Sequence, residues 1–189
     1  MKKKPLFVIG DSISMHYGPY LKEMLKDKCG YSRIKGNGED SINVLKFVQN
    51  NKNKLLRHDI ILFNCGLHDI KLNKGKTEKQ VPIKQYEKNL KEILSELKKA
   101  GIVIWVRITP VDDKRHNRIV KDFSRFNKDV LTYNRVADKV MAENKIQTID
   151  LYKFTKNLGN NLFCDHVHFK SEIRKLQAAY IAGRIGKIL

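Results

Sequence analysis

Cysteine is scarce in this sequence: 189 residues contain only Cys29, Cys65 and Cys164. An odd count without metal-ligand spacing argues for reduced thiols in a cytoplasm and against a disulfide framework. Long hydrophobic runs are also missing. The longest, at residues 60–63 and 102–106, fall far short of the roughly 20 residues that a membrane span requires. The opening Met1-Lys2-Lys3-Lys4 has the basic character of a signal peptide, but the apolar stretch after it reaches only from Leu6 to Ile9 before Gly10-Asp11-Ser12 interrupts. A cytoplasmic protein without a membrane span is expected. There is no Gly-x-Gly-x-x-Gly or Walker pattern after the first strand, which argues against a nucleotide-binding module.

Acidic residues are outnumbered, 20 against 38 Lys and Arg, for a formal charge of +18. Such a balance attracts anions in general, whether nucleic acid, lipid headgroups or an acidic polysaccharide. The lysines are spread along every segment, and no module interleaves basic with aromatic residues as nucleic-acid readers do. A solvated basic surface is therefore the favoured reading, with no specific nucleic-acid partner. Nothing in the pattern specifies an oligomeric state.

What is present is a globular composition, 41% hydrophobic and 31% charged, over a length that suits one domain spanning 1–189. Strand-length apolar runs near 6–9, 31–35, 60–64, 102–108 and 146–149 alternate with stretches of helical period. Continuous apolar runs are the mark of strands buried on both faces, and the alternation predicts a parallel sheet covered by helices. Ile83, Tyr86, Leu90, Ile93, Leu94 and Leu97 fall on one helical face, which Ala100-Gly101 ends. Further helices are expected over 17–26, 42–49, 126–143, and from 172 to the C-terminus with Ser171 as N-cap. Two long polar segments, 71–82 and 110–125, follow strand C-termini, the edge where open α/β sheets bind ligands.

Gly10-Asp11-Ser12-Ile13-Ser14 puts a serine at a strand-to-helix turn, where backbone N–H groups can meet an anion. Alone, the segment reads equally as an ordinary helix cap. Near the far end, Cys164-Asp165-His166-Val167-His168 supplies a carboxylate three residues from an imidazole. That spacing lets Asp165 hold one ring nitrogen of His168 while the other faces a serine as general base. His166 with His168 could instead be metal ligands, but no third ligand group completes a zinc site. Cys164 reads as a small buried residue. Gly36-Asn37-Gly38 and Gly66-Leu67-His68-Asp69 offer oxyanion donors in the Gly38 N–H and the His68 ring, each of which is by default a turn or loop residue.

In this order the four segments resemble the SGNH hydrolases, the GDSL-like esterase and lipase superfamily, over nearly the whole chain. The family has Gly-x-Asn-Asp where this chain has Gly66-Leu67-His68-Asp69, and a subgroup with Gly-Leu-His-Asp makes His68 a substitute for the asparagine. Thr109-Pro110-Val111 and Tyr133-Asn134 also look like that subgroup. The resemblance implies a flavodoxin-like three-layer α/β/α sandwich with a five-stranded parallel sheet, no metal and no organic cofactor. It implies a serine esterase with Ser12, Asp165 and His168 catalytic and with Ser12, Gly38 and His68 at the oxyanion. Asp11, Asp69, Pro110 and His166 are candidates for substrate contact. The subgroup points to O-acetyl groups on a carbohydrate; the alternatives are lysophospholipase or thioesterase chemistry, or a non-catalytic anion- or nucleic-acid-binding α/β module.

Overall fold

Leu6 to Ile9 and Ile60 to Phe63 are wholly buried, the condition of strands sandwiched between helices. In the computed structural model, which describes residues 4–189, the chain runs β1 (Lys4–Ile9), α1 (Ser12–Leu25), β2 (Cys29–Arg33), α2 (Ser41–Asn50), α3 (Lys52–Leu55), β3 (Ile60–Phe63), β4 (Leu72–Asn73), α4 (Ile83–Leu97), β5 (Ile102–Val106), α5 (Asp113–Ile119), β6 (Phe123–Ser124), α6 (Asn127–Glu143), β7 (Gln147–Ile149), α7 (Leu151–Lys156) and α8 (Ser171–Ile185). The first three residues of the basic opening lie outside the described residues. Strands β2-β1-β3-β5-β7 form one parallel sheet, the five-stranded flavodoxin-like order expected. Helices α1 and α8 pack together, and α2, α4 and α6 form a second group. Among the described residues no helix is long and apolar enough to cross a membrane.

The order reverses at β1 and β3, so the crevice beyond their carboxyl ends is the natural ligand site. Helix α1 starts at Ser12, five residues ahead of the helix read from periodicity, because the Asp11 side chain accepts from the Ile13 N–H and caps it. Strand β2 is shifted towards the N-terminus, its limits set by pairing with β1 from Lys4↔Cys29 to Val8↔Arg33. Strand β5 ends at Val106, since the Ile108 N–H is taken by the Asn134 side chain at 2.9 Å. Ser171 is the first residue of α8 rather than its cap, and its hydroxyl bonds the Tyr20 hydroxyl at 2.8 Å. The two long polar segments, 71–82 and 110–125, contain β4, α5 and β6, and the antiparallel pairing Leu72↔Ser124 and Asn73↔Phe123 stitches them together at the sheet's carboxyl edge.

Candidate active site

Where β1 meets α1 the packing is close. A Cβ on Gly10 would lie 2.8 Å from the Ser14 hydroxyl, so only glycine lets the chain turn directly into the helix. Ser12 then stands in the first helical turn, whose N–H groups lack intrahelical acceptors and carry the positive end of the helix dipole.

The opposing loop is shaped around Asp165. Its Oδ1 accepts the backbone N–H groups of Val167 at 2.8 Å and His168 at 2.7 Å, and its Oδ2 lies 2.7 Å from His168 Nδ1. Bonds from Cys164 N to His168 O and from Lys170 N to Leu162 O close the loop on itself, and Arg115 Nε donates to the Asp165 carbonyl. Burial by itself raises the Asp165 carboxyl, but the two backbone donors and the imidazole pull it down to about 2. An ionised Asp165 requires the proton on Nδ1, which leaves Nε2 as an acceptor. That nitrogen is 2.8 Å from Ser12 Oγ. Ser12, His168 and Asp165, drawn from the two ends of the chain, thus form one hydrogen-bonded line at the sheet's carboxyl edge.

His68 lies on the loop after β3. Gly66 at the head of that loop has φ +128°, and a Cβ there would strike Ile108 Cδ1 at 2.3 Å, so the loop's path depends on glycine. Burial, reinforced by the nearby charges of Lys71, Arg125 and His168, depresses the His68 ring to about 3. It is neutral at physiological pH, with one N–H to donate.

Gly38, expected at the oxyanion, has its N–H engaged within the fold. Its N–H donates to the Gly10 carbonyl at 3.0 Å, and a Cβ would lie 2.9 Å from that oxygen. The glycine allows the β1–α1 turn to be braced from the neighbouring loop, and its N–H must leave this bond before it can meet an oxyanion. Three of the residues expected to contact substrate are buried. Asp11 is capping α1 from the interior. Asp69 is wholly buried, accepting the Ser41 N–H and hydroxyl, and burial pushes its carboxyl up to about 7 against those bonds. Pro110 is buried beneath the surface. Of the four, His166 alone keeps partial exposure, with Nδ1 3.0 Å from His116 Nδ1. Cys164, expected to be buried, is exposed and lies 3.2 Å from an Arg174 nitrogen.

Reading by motif missed three neighbours. His16 lies one helical turn beyond Ser12, its ring centred 4.3 Å from that of His168. Its place four residues after the serine, on the same helix face, was the available signal. His116 and Arg125 come from the 110–125 segment, whose position after a strand marked it as ligand-facing without singling out a residue. Among the described residues no group of three or more His, Cys, Asp and Glu side chains is gathered as metal ligands would be.

Residues 6–181 match the family described as GDSL-like lipase/acylhydrolase. No curated protein matches the chain significantly. Similar solved structures include a lipase/acylhydrolase from Enterococcus faecalis, 20% identical with a TM-score of 0.79 over 98% of this chain and 97% of that one. The acetyl xylan esterase AlAXEase is 18% identical, TM-score 0.77, over 96% and 99%. Est24, a carbohydrate acetylesterase from Sinorhizobium meliloti, is 12% identical, TM-score 0.71, over 99% and 100%. At these identities the structural likeness is one of fold.

Proposed function

This chain belongs to the GDSL-like lipase/acylhydrolase family and is an ester-hydrolysing enzyme, and from that premise we propose that it removes short acyl groups, acetyl foremost, from a carbohydrate through an acyl-enzyme on Ser12. The observation that carries the reading is the line of contacts from Ser12 Oγ through His168 to Asp165, at 2.8 and 2.7 Å. In this reading Asp165 keeps the His168 proton on Nδ1, and Nε2 takes the serine proton as Oγ attacks the ester carbonyl. The negative oxygen of the tetrahedral intermediate is met by the Ser12 N–H at the helix start and the neutral His68 ring. His168 returns its proton to the departing alcohol, then deprotonates a water that attacks the acyl-serine, and hands that proton to Ser12 Oγ as the acid leaves.

A polar alcohol is supported by the surroundings of Ser12. The segments around the site, 71–82 and 110–125, are rich in charged residues. The acetyl xylan esterase and the carbohydrate acetylesterase that share the fold act on esters of this kind by their descriptions. The test is a hydrolysis series of 4-nitrophenyl esters from acetyl to dodecanoyl, with acetylated xylan alongside and Ser12→Ala as control. Acetyl is expected to be preferred, with no turnover by Ser12→Ala. Preference for long chains would replace the carbohydrate reading with a lipid one, and full activity in Ser12→Ala would remove the serine mechanism.

A further inference from the structure

Arg125 is only 2% exposed, yet among the described residues no carboxylate oxygen lies within 4.0 Å of its guanidinium. Its Nε donates to the Leu67 carbonyl at 2.8 Å, and neither terminal nitrogen has a protein partner. Asn117 fixes the residue from both sides, accepting its backbone N–H and donating to its carbonyl at 3.1 Å each. Burying an unpaired cation is costly, and the contact with the Phe123 ring, 4.9 Å from the guanidinium carbon, offsets part of that cost. Clasping the Leu67 carbonyl uses a single N–H of the fork and gives no reason to hold the rest of it in place.

A second cation shares the same ring. Lys71 Nζ lies 5.0 Å from the Phe123 centroid, and the side chain is half-buried, also with no carboxylate within 4.0 Å. Both residues are tied to the loop that carries His68: Arg125 through the Leu67 carbonyl, Lys71 through its own N–H on the His68 carbonyl. Asp11 is the carboxylate whose charge reaches Arg125 from further off; its Oδ1 takes the Ile13 N–H and its Oδ2 is buried without a partner, and neither oxygen comes within 4.0 Å of the guanidinium.

We propose that Arg125 and Lys71 form an anion subsite beside His68 that selects ester substrates bearing a carboxylate. A planar fork with two unpartnered nitrogens matches a carboxylate, and the ammonium adds a point charge next to it. This rests on the esterase reading above. With an acetyl group on the acyl side, the carboxylate belongs to the alcohol half, which makes the substrate class an acylated acidic sugar.

The experiment compares phenyl acetate with 3-acetoxybenzoate, a neutral and a carboxylate-bearing ester of the same acyl group, by kcat/KM in wild type, Arg125→Gln, Lys71→Met and Ser12→Ala. The wild type is expected to favour the charged ester by about tenfold or more, the scale of one charge-assisted contact, and added salt should shrink that preference. Arg125→Gln and Lys71→Met should each bring the ratio towards one. If Arg125→Gln does not fold, Lys71→Met and the salt series decide alone. A wild-type ratio of one, or an equal loss on both esters in Arg125→Gln, overturns the subsite and leaves the esterase standing. Absence of Ser12-dependent hydrolysis of phenyl acetate would instead sink the esterase reading, and the subsite with it.

Discussion

His68→Ala isolates the electrostatic half of the proposed reaction. The Gly38 N–H is held by the Gly10 carbonyl, so of the three donors a family resemblance would supply, only the Ser12 N–H and the His68 ring are free to meet the oxyanion. Removing a single such donor lowers kcat by about 10²–10³-fold, or about 3–4 kcal/mol. With so few donors the upper end of that range is expected here. KM should change little, because the contact forms as charge develops and not when the ester binds. His68→Asn restores a side-chain N–H and should recover part of the loss. Since the ring is held to about 3 when folded, neither histidine nor asparagine titrates across the working range, and the pH profile of His68→Asn should keep the wild-type shape. Steady-state kinetics on 4-nitrophenyl acetate, with circular dichroism to check the fold, provide the assay. A folded His68→Ala with kcat within a few-fold of wild type would refute the assignment, and a rise in KM with kcat intact would reassign His68 to ground-state binding.

Asp165→Asn should lower kcat by about 10⁴-fold, because an amide can drive the His168 proton onto the nitrogen that faces Ser12; a loss under tenfold would deny Asp165 its orienting role. Gly66→Ala should destabilise the protein by about 1–3 kcal/mol through its positive φ, with a further cost from the clash at Ile108, seen as a lower urea midpoint; an unchanged midpoint contradicts it. The folded protein should weaken in acid through two depressed histidines, against the opposite but smaller pull of Asp69, whose carboxyl is raised to about 7 and takes up its proton in the folded state first. His68 and His116 are depressed from 6.5 to about 3 and about 4, chiefly by burial, so the unfolded chain binds their protons first. The stability they contribute is complete above pH 6.5 and drains as pH falls towards 4 and then 3. A urea midpoint that is the same at pH 7.5 and pH 4.5 would refute this, and His116→Phe should flatten the slope.

The central strands were legible because Leu6–Ile9 and Ile60–Phe63 are buried on both faces and therefore apolar without interruption. Strand β2 lies at the edge of the sheet, and its polar residues gave no comparable run, so its limits followed only from its pairing with β1. The β4–β6 pair joins segments far apart in the chain and two residues long, too short to carry a period. In the site, the Asp165–His168 spacing is a local geometric fact and could be read directly. Burial is not local. Asp11 and Asp69 sit in motif positions that look ligand-facing, yet one caps α1 and the other holds Ser41 from the interior. Arg125 stayed hidden for the same reason: nothing in its neighbours along the chain indicates that it will be folded onto the Leu67 carbonyl.

The account depends on Ser12 being a nucleophile activated by His168. Reaction with a fluorophosphonate followed by peptide mass spectrometry measures that directly. The expected result is one adduct on Ser12, formed in step with loss of esterase activity, and slowed by orders of magnitude in His168→Ala. An adduct on a different residue, or undiminished hydrolysis after Ser12 is fully modified, would contradict it.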